Sequence, residues 1–375
     1  MRVVYFFTSN GAAAPDQIVP WTIENQATNY YANSIWTEGF FWMFKRMIEE
    51  SIVDEVLIVI ESVRGPGSVT YNDNLKVIVV PHISKCIPFL KEGDVFFVRG
   101  GFKSWYAFLT EYHNKGTWIV FYRANTNRGP WPFWDVVLDD LVDSTFVENN
   151  KLHLPFIKPT NEELFHPMPE VQKEYDLCIG SSHVHDKKGQ WEAIKMLIEY
   201  KKIFGKSLNC ILPGSISRGV HTNEIRSDII NNELIVELPG MVQRDEVRTI
   251  LNKSRLLIKL GGGGQGDRGP LEALACGTEI ILAETACHAP FMYQNPEVCL
   301  LTKNRNNLHE LSIEVRRRVN NAVLAGKKRR STVYKYYLEK SGMNEVVLPQ
   351  MSKLISILSK TAYADRTYLQ KEYLL

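Results

Sequence analysis

The sequence lacks an apolar run long enough to cross a bilayer, a CxxC cysteine pair and a marked excess of either charge. Its 375 residues carry 44 basic and 42 acidic side chains, and the net charge of +2 argues against a nucleic-acid binder or an acidic tail. The six cysteines are scattered through apolar runs such as LCIG and LNCIL, where Cys is usually a small buried hydrophobe. We therefore expect neither a disulfide framework nor a zinc knuckle, and the usage fits a reducing compartment.

The first residues favour a cytoplasmic protein. MRVVYFF becomes polar too soon for a signal peptide and is typical of a first strand. We expect membrane contact to be peripheral at most. The segment 36–50, WTEGFFWMFKRMIEE, leaves two interpretations open, an interfacial membrane helix or a buried first helix of an α/β domain.

Short runs rich in Val, Ile and Phe recur along the chain, and helical patterns follow them. Near-continuous apolar strands between helices are typical of a parallel sheet that is covered on both faces. The runs of the first half are RVVYFF, EVLIVI, LKVIVV, DVFFVR and TWIVFY. Those of the second half are YDLCIG, SLNCIL, ELIVEL, RLLIKL, TEIILA and VCLL. The helices are predicted at 36–50, 102–112, 189–203, 243–252, 268–276 and 305–325.

The strand–helix pattern starts again near residue 174, after a stretch rich in Pro and charge that is typical of a linker. We therefore predict the α/β class with two Rossmann-like, doubly wound domains, 1–165 and 166–350, and a helical tail, 351–375, that crosses back to the first. Ligands of such sheets bind beyond the carboxyl ends of the strands. Two domains facing a cleft offer two half-sites, which suits the joining of two substrates.

A glycine run after one strand gives the strongest local signal. In GGGGQGDRGPLEALACGTEIIL, which starts at Gly261, five glycines fall within six residues. Pro270 suits a first helical turn and Gly277 suits a C-terminal cap. Backbone N–H groups at such a helix start can approach an anion, and the guanidinium of Arg268 can bind a phosphate through two N–H groups. Glu272 can accept hydrogen bonds from a ribose diol. Spacing alone also allows a plain glycine turn with a solvated Glu.

The segment RGPLEALACGTEIIL resembles the donor-site signature of GT-B glycosyltransferases, in particular the retaining family 4 (group 1), whose usual form is E-G-F-G-R-x-P-L-E-A-x-A-C-G-x-P-V-I. The matching positions are Arg268, Pro270, Leu271, Glu272, Ala273, Ala275, Cys276 and Gly277. The resemblance implies that Glu272 holds the ribose of a nucleotide and that the residues just before it offer N–H groups to the diphosphate. The implied donor site comprises Val242, Gly264, Arg268, Gly269, Pro270, Leu271 and Glu272.

Three further segments extend the resemblance over the second domain, whereas the first is matched only in general organisation. PFIKPTNEELFHP is similar to the hinge segment of the family. YDLCIGSSHVHDKKGQWEAIK is similar to the first strand and helix of its nucleotide domain, which carry G-R-x-x-x-x-K-G. ELPGMVQRDEVRTIL is similar to F-x-G-x-V-x-x-x-E-L, where the residues after the glycine line the base pocket.

The resemblance implies two catalytic candidates, and one acid of the family motif is absent. Lys188 would neutralise charge on the leaving diphosphate. His183 stands where the family has Arg, although an alignment through Gly180 puts Ser181 there. The first Glu of the family, which faces the donor sugar, is replaced by Gly264. The HVHD segment offers no third ligand at helical spacing, so a metal site is not expected.

Residues near the ends of strands in the first domain are candidates for the acceptor side. Asn10 and Gly11 follow the first strand, and Arg99 and Arg123 end later ones. Each is equally consistent with an ordinary loop or with a tie between strand and loop. The basic segment KKRR, 327–330, is typical of a solvated basic turn before a helix, or less simply of a contact to nucleic-acid phosphates.

The sequence therefore predicts a hexosyltransferase-like enzyme that moves a sugar from a nucleotide-diphosphate sugar to an acceptor hydroxyl. The family implies retention of anomeric configuration, no metal and no cofactor besides the nucleotide sugar. The acceptor stays open among a glycan, a lipid-linked hydroxyl and others, and a nucleic acid is not expected. Two alternatives remain, a non-catalytic sugar-nucleotide-binding protein and a GT-B-like nucleotide-sugar epimerase.

Overall fold

The computed structural model describes most of the chain and divides it into two compact units. The described residues are 1–8, 38–61, 67–99, 103–123, 133–140, 142, 144–148, 151–180, 183–184, 189–216, 222–261, 268–284, 293, 295–303 and 305–361. Unit 1 comprises Met1–Pro159 and Met343–Leu375, and unit 2 comprises Thr160–Gly342.

These divisions fall several residues earlier than the sequence suggested, at Pro159 rather than 165 and at Gly342 rather than 350. Side-chain packing explains both boundaries, at the two points where the chain passes from one unit to the other. The hydroxyl of Tyr337 donates to Glu162 at 3.0 Å, which holds the start of unit 2 to its last helix. Met343 and Val347 lie in the apolar core of unit 1.

Unit 1 is built on a sheet whose described strands run in the order β3-β4-β2-β1-β5-β6-β7-β9-β8. The pairs β3/β4 and β8/β9 are antiparallel, and the other neighbours are parallel. The strands are β1 (Arg2–Thr8), β2 (Glu55–Glu61), β3 (Gly67–Asn72), β4 (Leu75–Val80), β5 (Val95–Arg99), β6 (Ile119–Arg123), β7 (Val136–Asp139), β8 (Phe146–Glu148) and β9 (Lys151–Pro155).

The helices of unit 1 cover apolar strands, as expected for a parallel sheet. They are α1 (Gly39–Glu49), α2 (Tyr106–Asn114) and α8 (Leu348–Lys360), with short 3₁₀ segments at Ile83–Phe89 and Lys103–Trp105. In α1, Phe40, Met43, Phe44 and Met47 recur at helical spacing and are fully buried. Helix α1 is thus a buried helix of the unit, the first among its described residues, which accounts for the apolar residues 39–49 without a bilayer.

Unit 2 contains a six-stranded sheet of described strands, all parallel, in the order β14-β12-β10-β15-β16-β17. A separate parallel pair joins β11 and β13. The strands are β10 (Tyr175–Ile179), β11 (His183–Val184), β12 (Asn209–Pro213), β13 (Ser215–Ile216), β14 (Ile235–Gly240), β15 (Ser254–Lys259), β16 (Glu279–Ala283) and β17 (Cys299–Thr302). The helices are α3 (Gln190–Phe204), α4 (Thr222–Asn231), α5 (Arg244–Lys253), α6 (Arg268–Ala275) and α7 (Leu308–Ser341).

Helix α7 corrects the prediction of a helix that ends at 325 and is followed by a solvated basic turn. It runs to Ser341 with a kink at Gly326, whose φ of 50° is left-handed. Lys327 to Arg330 continue the helix rather than forming a turn, and Arg330 is buried. Its guanidinium donates to the carbonyls of Val171, at 3.0 Å, and of Met168. Arg330 points inward because carbonyls before β10 need donors, whereas Lys327 and Lys328 are exposed.

Three further observations concern the described residues. Cys86, Cys178, Cys210, Cys276 and Cys299 are buried and form no disulfide with one another. No helix within the described ranges is long and apolar enough to cross a membrane. The same ranges contain no group of three or more His, Cys, Asp or Glu side chains arranged to hold a metal ion.

Candidate functional site

The carboxyl ends of β10 and β15 meet beside the start of α3. These two strands pair in parallel at the centre of the unit 2 sheet, and the amide of Gly180 donates to the carbonyl of Ile258 at 3.1 Å. In the sequence, SSHVHDKKG follows β10 and the glycine run follows β15. Parallel strands end at the same sheet edge, so Gly180 and Leu260 lie at one edge of the sheet.

Gly189 and the first glycine of the run are in backbone contact. Gly189 has φ of 78° and caps α3. A Cβ at Gly189 would lie 2.8 Å from the Cα of Gly261 and closer still to the peptide between Leu260 and Gly261. Only a residue without a side chain fits here, because both the backbone angle and the space exclude a Cβ. The residue that precedes this contact in the sequence is Lys188.

Glu272 lies in α6, buried and paired with an arginine from α5. Both carboxylate oxygens accept from the guanidinium of Arg244, Oε2 at 3.2 Å and Oε1 at a shorter distance. The Arg244 guanidinium also stacks over the ring of Phe165, 4.7 Å from its centroid. The Glu272 side chain is only 4% exposed. This bidentate pair fixes the carboxylate and leaves a lone pair on each oxygen for another donor.

The first turn of α6 contains the remaining described residues of the implied diphosphate site. Arg268 and Gly269 are half-buried, whereas Pro270 and Leu271 are buried in the first turn. Pro270 fits at this position because a first-turn residue needs no N–H partner within the helix. At the other end, Gly277 has φ of 71° and its amide donates to Leu274 at 2.9 Å. The helix therefore starts and stops at the residues that the sequence pattern indicated.

Val242 precedes α5 in the loop after β14 and is half-buried. Gln243 and Glu246 then form a capping box, in which the amide of Gln243 donates to Glu246 at 2.6 Å. This cap fixes the start of α5 and with it the position of Arg244 as the first helical residue.

Several predicted site residues lie outside the described residues. Lys188, Gly264, Asn10 and Gly11 belong to this group, so their placement in the site stays a prediction. Only the backbone of His183 is described. It lies in β11, where it pairs with Ser215 of β13, immediately beyond the end of β10.

Two arginines at the carboxyl edge were not singled out from the sequence. Arg244 was within the ELPGMVQRDEVRTIL segment, and its place at the start of a capped helix is the signal that could have found it. Arg305 donates to the carbonyl of Leu260 at 3.2 Å and lies 3.7 Å from Glu192 of α3. It has no such signal, because its contact with Leu260 joins residues 45 apart in sequence.

In unit 1, Arg99 ends β5 in an ion pair. Its guanidinium donates to Glu38, whose side chain is 5% exposed, and to the hydroxyl of Tyr5 at 3.4 Å. It also stacks 5.1 Å from the ring centroids of Phe7 and Phe40. Burial alone lowers the pKa of Arg99, but the charges of Glu38 and Tyr5 overcome it and raise the pKa above its ordinary value. Arg99 thus joins the strand end to the segment before α1.

Arg123 ends β6 and forms an ion pair with Asp139 at 3.0 Å. The next residue, Asp140, is buried, and its Oδ2 accepts from the hydroxyl of Tyr122 at 3.4 Å. Burial, and then the charge of Asp139, raise the pKa of Asp140 to about 6. The carboxyl edge of the unit 1 sheet therefore carries charged groups of both signs, and Arg123 is a third exposed.

Comparison with known proteins defines the fold. No protein-family model and no curated protein matches the sequence. A glycosyltransferase from Rickettsia africae ESF-5 has a TM-score of 0.64 at 14% identity, over 96% of this chain and 99% of that one. Anabaena Alr3699/HepE, solved with UDP and glucose, has a TM-score of 0.63 at 12% identity, over 96% and 100%.

Sucrose-phosphate synthase from Thermosynechococcus elongatus has a TM-score of 0.59 at 13% identity, over 96% of this chain and 99% of that one. Each alignment spans nearly all of both chains, so both units take part in the likeness. The chain therefore has the α/β, GT-B fold of these glycosyltransferases, with two Rossmann-like units.

Proposed function

We propose that the protein is a glycosyltransferase that uses a nucleotide-diphosphate sugar as donor, bound by unit 2 at the carboxyl edge of its sheet. The observation that carries this proposal is the contact of Gly189 with Leu260 and Gly261. It packs Gly189, the residue after Lys188 in the sequence, against the first residue of the glycine run that precedes α6. A diphosphate bound between amide-rich backbone and a lysine is the arrangement that such a donor requires.

The proposed binding roles follow from the chemistry of each group. The glycine run and the first turn of α6 hold the diphosphate through backbone N–H groups, with Arg268 beside them. Glu272, oriented by Arg244, accepts hydrogen bonds from the ribose hydroxyls. Val242 borders the base. HepE was solved with UDP and glucose, so UDP-glucose is the first donor to test.

In the proposed reaction, an acceptor hydroxyl oxygen forms a bond to the anomeric carbon while the bond from that carbon to the diphosphate breaks. The hydroxyl proton passes to the departing diphosphate, whose negative charge Lys188 neutralises. Retention of configuration is proposed from the resemblance to the retaining family 4. Independence of metal is proposed on the same ground, and full activity in excess chelator is its test.

The experiment that tests the proposal is release of UDP from UDP-glucose, together with thermal-shift titrations of UDP, GDP, ADP and TDP. The expected result is slow release of a nucleoside diphosphate and a rise in melting temperature with one of the four. Lys188→Ala should lower kcat far more than donor affinity. The absence of both release and binding for all four nucleotides would rule out the proposal.

Gly264 supports one competing function, a non-catalytic sugar-nucleotide-binding protein. The acid that faces the donor sugar in the resembling family is missing at this position. Saturable binding without any release of nucleoside diphosphate would favour that alternative. Gly264→Glu should then change the sugar preference in binding, since it restores a hydrogen-bond acceptor. An epimerase would instead convert the nucleotide sugar without an acceptor, which chromatography detects.

A further inference from the structure

A cavity of about 400 Å³ lies in unit 2 at the sheet edge where the strands begin. Its walls are residues 169–173 before β10, the starts of β15 and β16, and the two halves of α7 on either side of Gly326. The glycine run follows the opposite end of β15. Because a strand of this length spans about 20 Å, the cavity is separate from the proposed donor site.

The walls of this cavity carry more basic than acidic side chains. The basic residues are Lys173, Arg255, Lys327, Arg329 and Arg330, and the acidic ones are Glu170 and Glu279. Glu279 is shared, because it accepts from Arg318 at 3.1 Å as well as from Arg329 at 2.5 Å. Arg255 is paired with Asp176 at 3.0 Å. Glu279 and Asp176 are therefore already paired, whereas Glu170 forms no ion pair in the described part of the chain.

Lys173 and Arg330 are hydrogen-bonded only to neutral groups in the described part of the chain. The ammonium of Lys173 donates to the hydroxyl of Thr278 at 3.3 Å and to the carbonyl of Ser254. Arg330 donates to backbone carbonyls alone, among them that of Asn252 at 3.3 Å. A buried Arg330 and a half-buried Lys173 with neutral partners are destabilising, since a charge taken out of water needs an opposite charge nearby.

The pKa of Lys173 is lowered, as expected where neighbouring positive charges are not balanced by negative ones. Burial, and then the charges of Arg330 and Arg255, lower the pKa of Lys173 to about 7. Burial also lowers the pKa of Arg330, which the charge of Glu170 offsets in part. A bound dianion would restore the balance of charge and would raise both values.

We propose that this cavity binds a phosphate-bearing anion, held by Lys173, Arg330 and Lys327. All three line the cavity, and Arg330 is buried, Lys173 half-buried and Lys327 exposed. The volume is within the range of about 300–1,000 Å³ that small-molecule sites occupy. A phosphate group offers three acceptor oxygens and up to two negative charges, which match the donors and charge present.

The same chemistry is available from a soluble phosphate ester or from a lipid headgroup. Val323 lines the cavity and is 56% exposed, and the adjacent Leu324 is 85% exposed. Apolar side chains beside a phosphate site are what insertion at a bilayer surface requires. The experiment therefore includes one arm for each source.

The soluble arm titrates inorganic phosphate and pyrophosphate and follows hydrogen exchange of the backbone. Binding should protect residues 169–173 and 322–330, which distinguishes this cavity from the glycine run. Lys173→Met should weaken binding at least tenfold and Lys327→Ser at least threefold. Lys328→Ser is the matched control, because Lys328 is the adjacent exposed lysine and does not line the cavity. It should bind as the wild type does.

The lipid arm measures cosedimentation with phosphatidylcholine vesicles that contain phosphatidic acid. If a lipid is the source, sedimentation should require phosphatidic acid and should be lost in Lys327→Ser and in Leu324→Ser. If soluble phosphate is the source, only the soluble arm should respond. Binding in neither arm, or equal binding by Lys327→Ser and Lys328→Ser, would overturn the proposal. If Lys173→Met does not fold, the lysine pair at 327 and 328 still decides the question.

Discussion

Gly189 and Gly261 touch backbone to backbone at the carboxyl edge of the unit 2 sheet. A Cβ on Gly189 would approach the Cα of Gly261 to 2.8 Å, and no real Cβ contact is so short. The two glycines belong to different sequence motifs and are 72 positions apart, so the sequence alone does not show that they are in contact. Their contact means that the first residue of the glycine run packs directly against the cap of α3.

The first prediction concerns Gly189→Ala. The alanine would have to adopt φ of 78° and would displace the peptide between Leu260 and Gly261. Left-handed strain and overpacking together should lower the free energy of unfolding by about 3 kcal/mol. Urea unfolding measures this loss, and hydrogen exchange should show increased opening at residues 260–261.

Gly205 provides the control at the other end of the same helix. It has φ of 67°, also left-handed, but nothing lies within 4 Å of a Cβ built there. Gly205→Ala should therefore show the backbone strain alone, about 1 kcal/mol. Equal losses in the two variants would mean that the contact with Gly261 is unimportant.

The sequence predicted those parts of the site that depend on local pattern. The strand before the glycines, the start of α6 at Arg268 and its cap at Gly277 all follow from neighbouring residues, and the structure has them at these positions. The partner of Glu272 could not be predicted in this way. Arg244 is 28 residues away, and only the pairing of β10, β15 and β16 brings α5 beside α6.

In the fold too, the elements with a strong local sequence pattern were predicted, and those that depend on residues far away in sequence were not. The long apolar runs became β1, β2, β4, β5 and β6, whereas β7, β8 and β9 were not foreseen. These last strands have three to five residues and include charged side chains such as Lys151, so their pattern is weak. The basic segment at 327–330 was misread because carbonyls of residues 168 and 171, far away in sequence, draw Arg330 inward.

The second prediction separates orientation from binding at Glu272. Glu272→Ala should raise the donor KM at least tenfold, because hydrogen bonds to a charged group contribute about 1.5–3 kcal/mol. Arg244→Met should leave the buried carboxylate without its guanidinium and lower the free energy of unfolding by about 3 kcal/mol. Donor kinetics and urea unfolding of both variants and of the double variant measure the two effects.

The double variant distinguishes a coupled pair from two independent residues. If Arg244 acts by holding Glu272, the double variant should be less destabilised than the sum of the single changes, by at least about 1 kcal/mol. Strict additivity would show that the ion pair makes no contribution. An unchanged donor KM in Glu272→Ala would remove Glu272 from the donor site.

The third prediction is a pH dependence from Lys173. Its pKa is about 7 in the folded protein and 10.5 ordinarily, so between these values the unfolded chain binds the extra proton. Stability therefore rises with pH from about 7 to 10, by up to about 1.4 kcal/mol per pH unit. Lys173→Met should be more stable than the wild type at pH 6, and the difference should shrink by pH 9.

Four neighbouring groups affect the pKa of Lys173. They are Arg330, Arg255, Cys276 and Glu279, of which the two arginines lower its pKa and the other two raise it. Lys201→Met is a suitable control, because Lys201 is also half-buried and bonds to the carbonyl of Asn232 at 2.8 Å but does not line the cavity. A difference between Lys173→Met and the wild type that is the same at pH 6 and pH 9 would contradict the prediction.

The last prediction contrasts two adjacent carboxylates in unit 1. Asp140 is 3% exposed, and in the described part of the chain its Oδ1 accepts no hydrogen bond. Burial, and then Asp139, raise its pKa from 3.8 to about 6, against the opposing effects of Lys158 and Tyr122. Ionising Asp140 in the folded protein is therefore unfavourable, and its contribution to stability falls as the pH rises from about 4 to 6.

Asp140→Asn should accordingly stabilise the protein at pH 7, with a gain that disappears near pH 4. Asp139→Asn should do the opposite at pH 7, because Asp139 is fully buried and accepts from Arg123 at 3.0 Å. We expect that loss to be about 2 kcal/mol, the value of a charge-assisted hydrogen bond. Urea unfolding at pH 4 and pH 7 measures both variants. Destabilisation by Asp140→Asn at pH 7 would mean that Asp140 is compensated by a charge, since only an uncompensated buried carboxylate gains from losing its own.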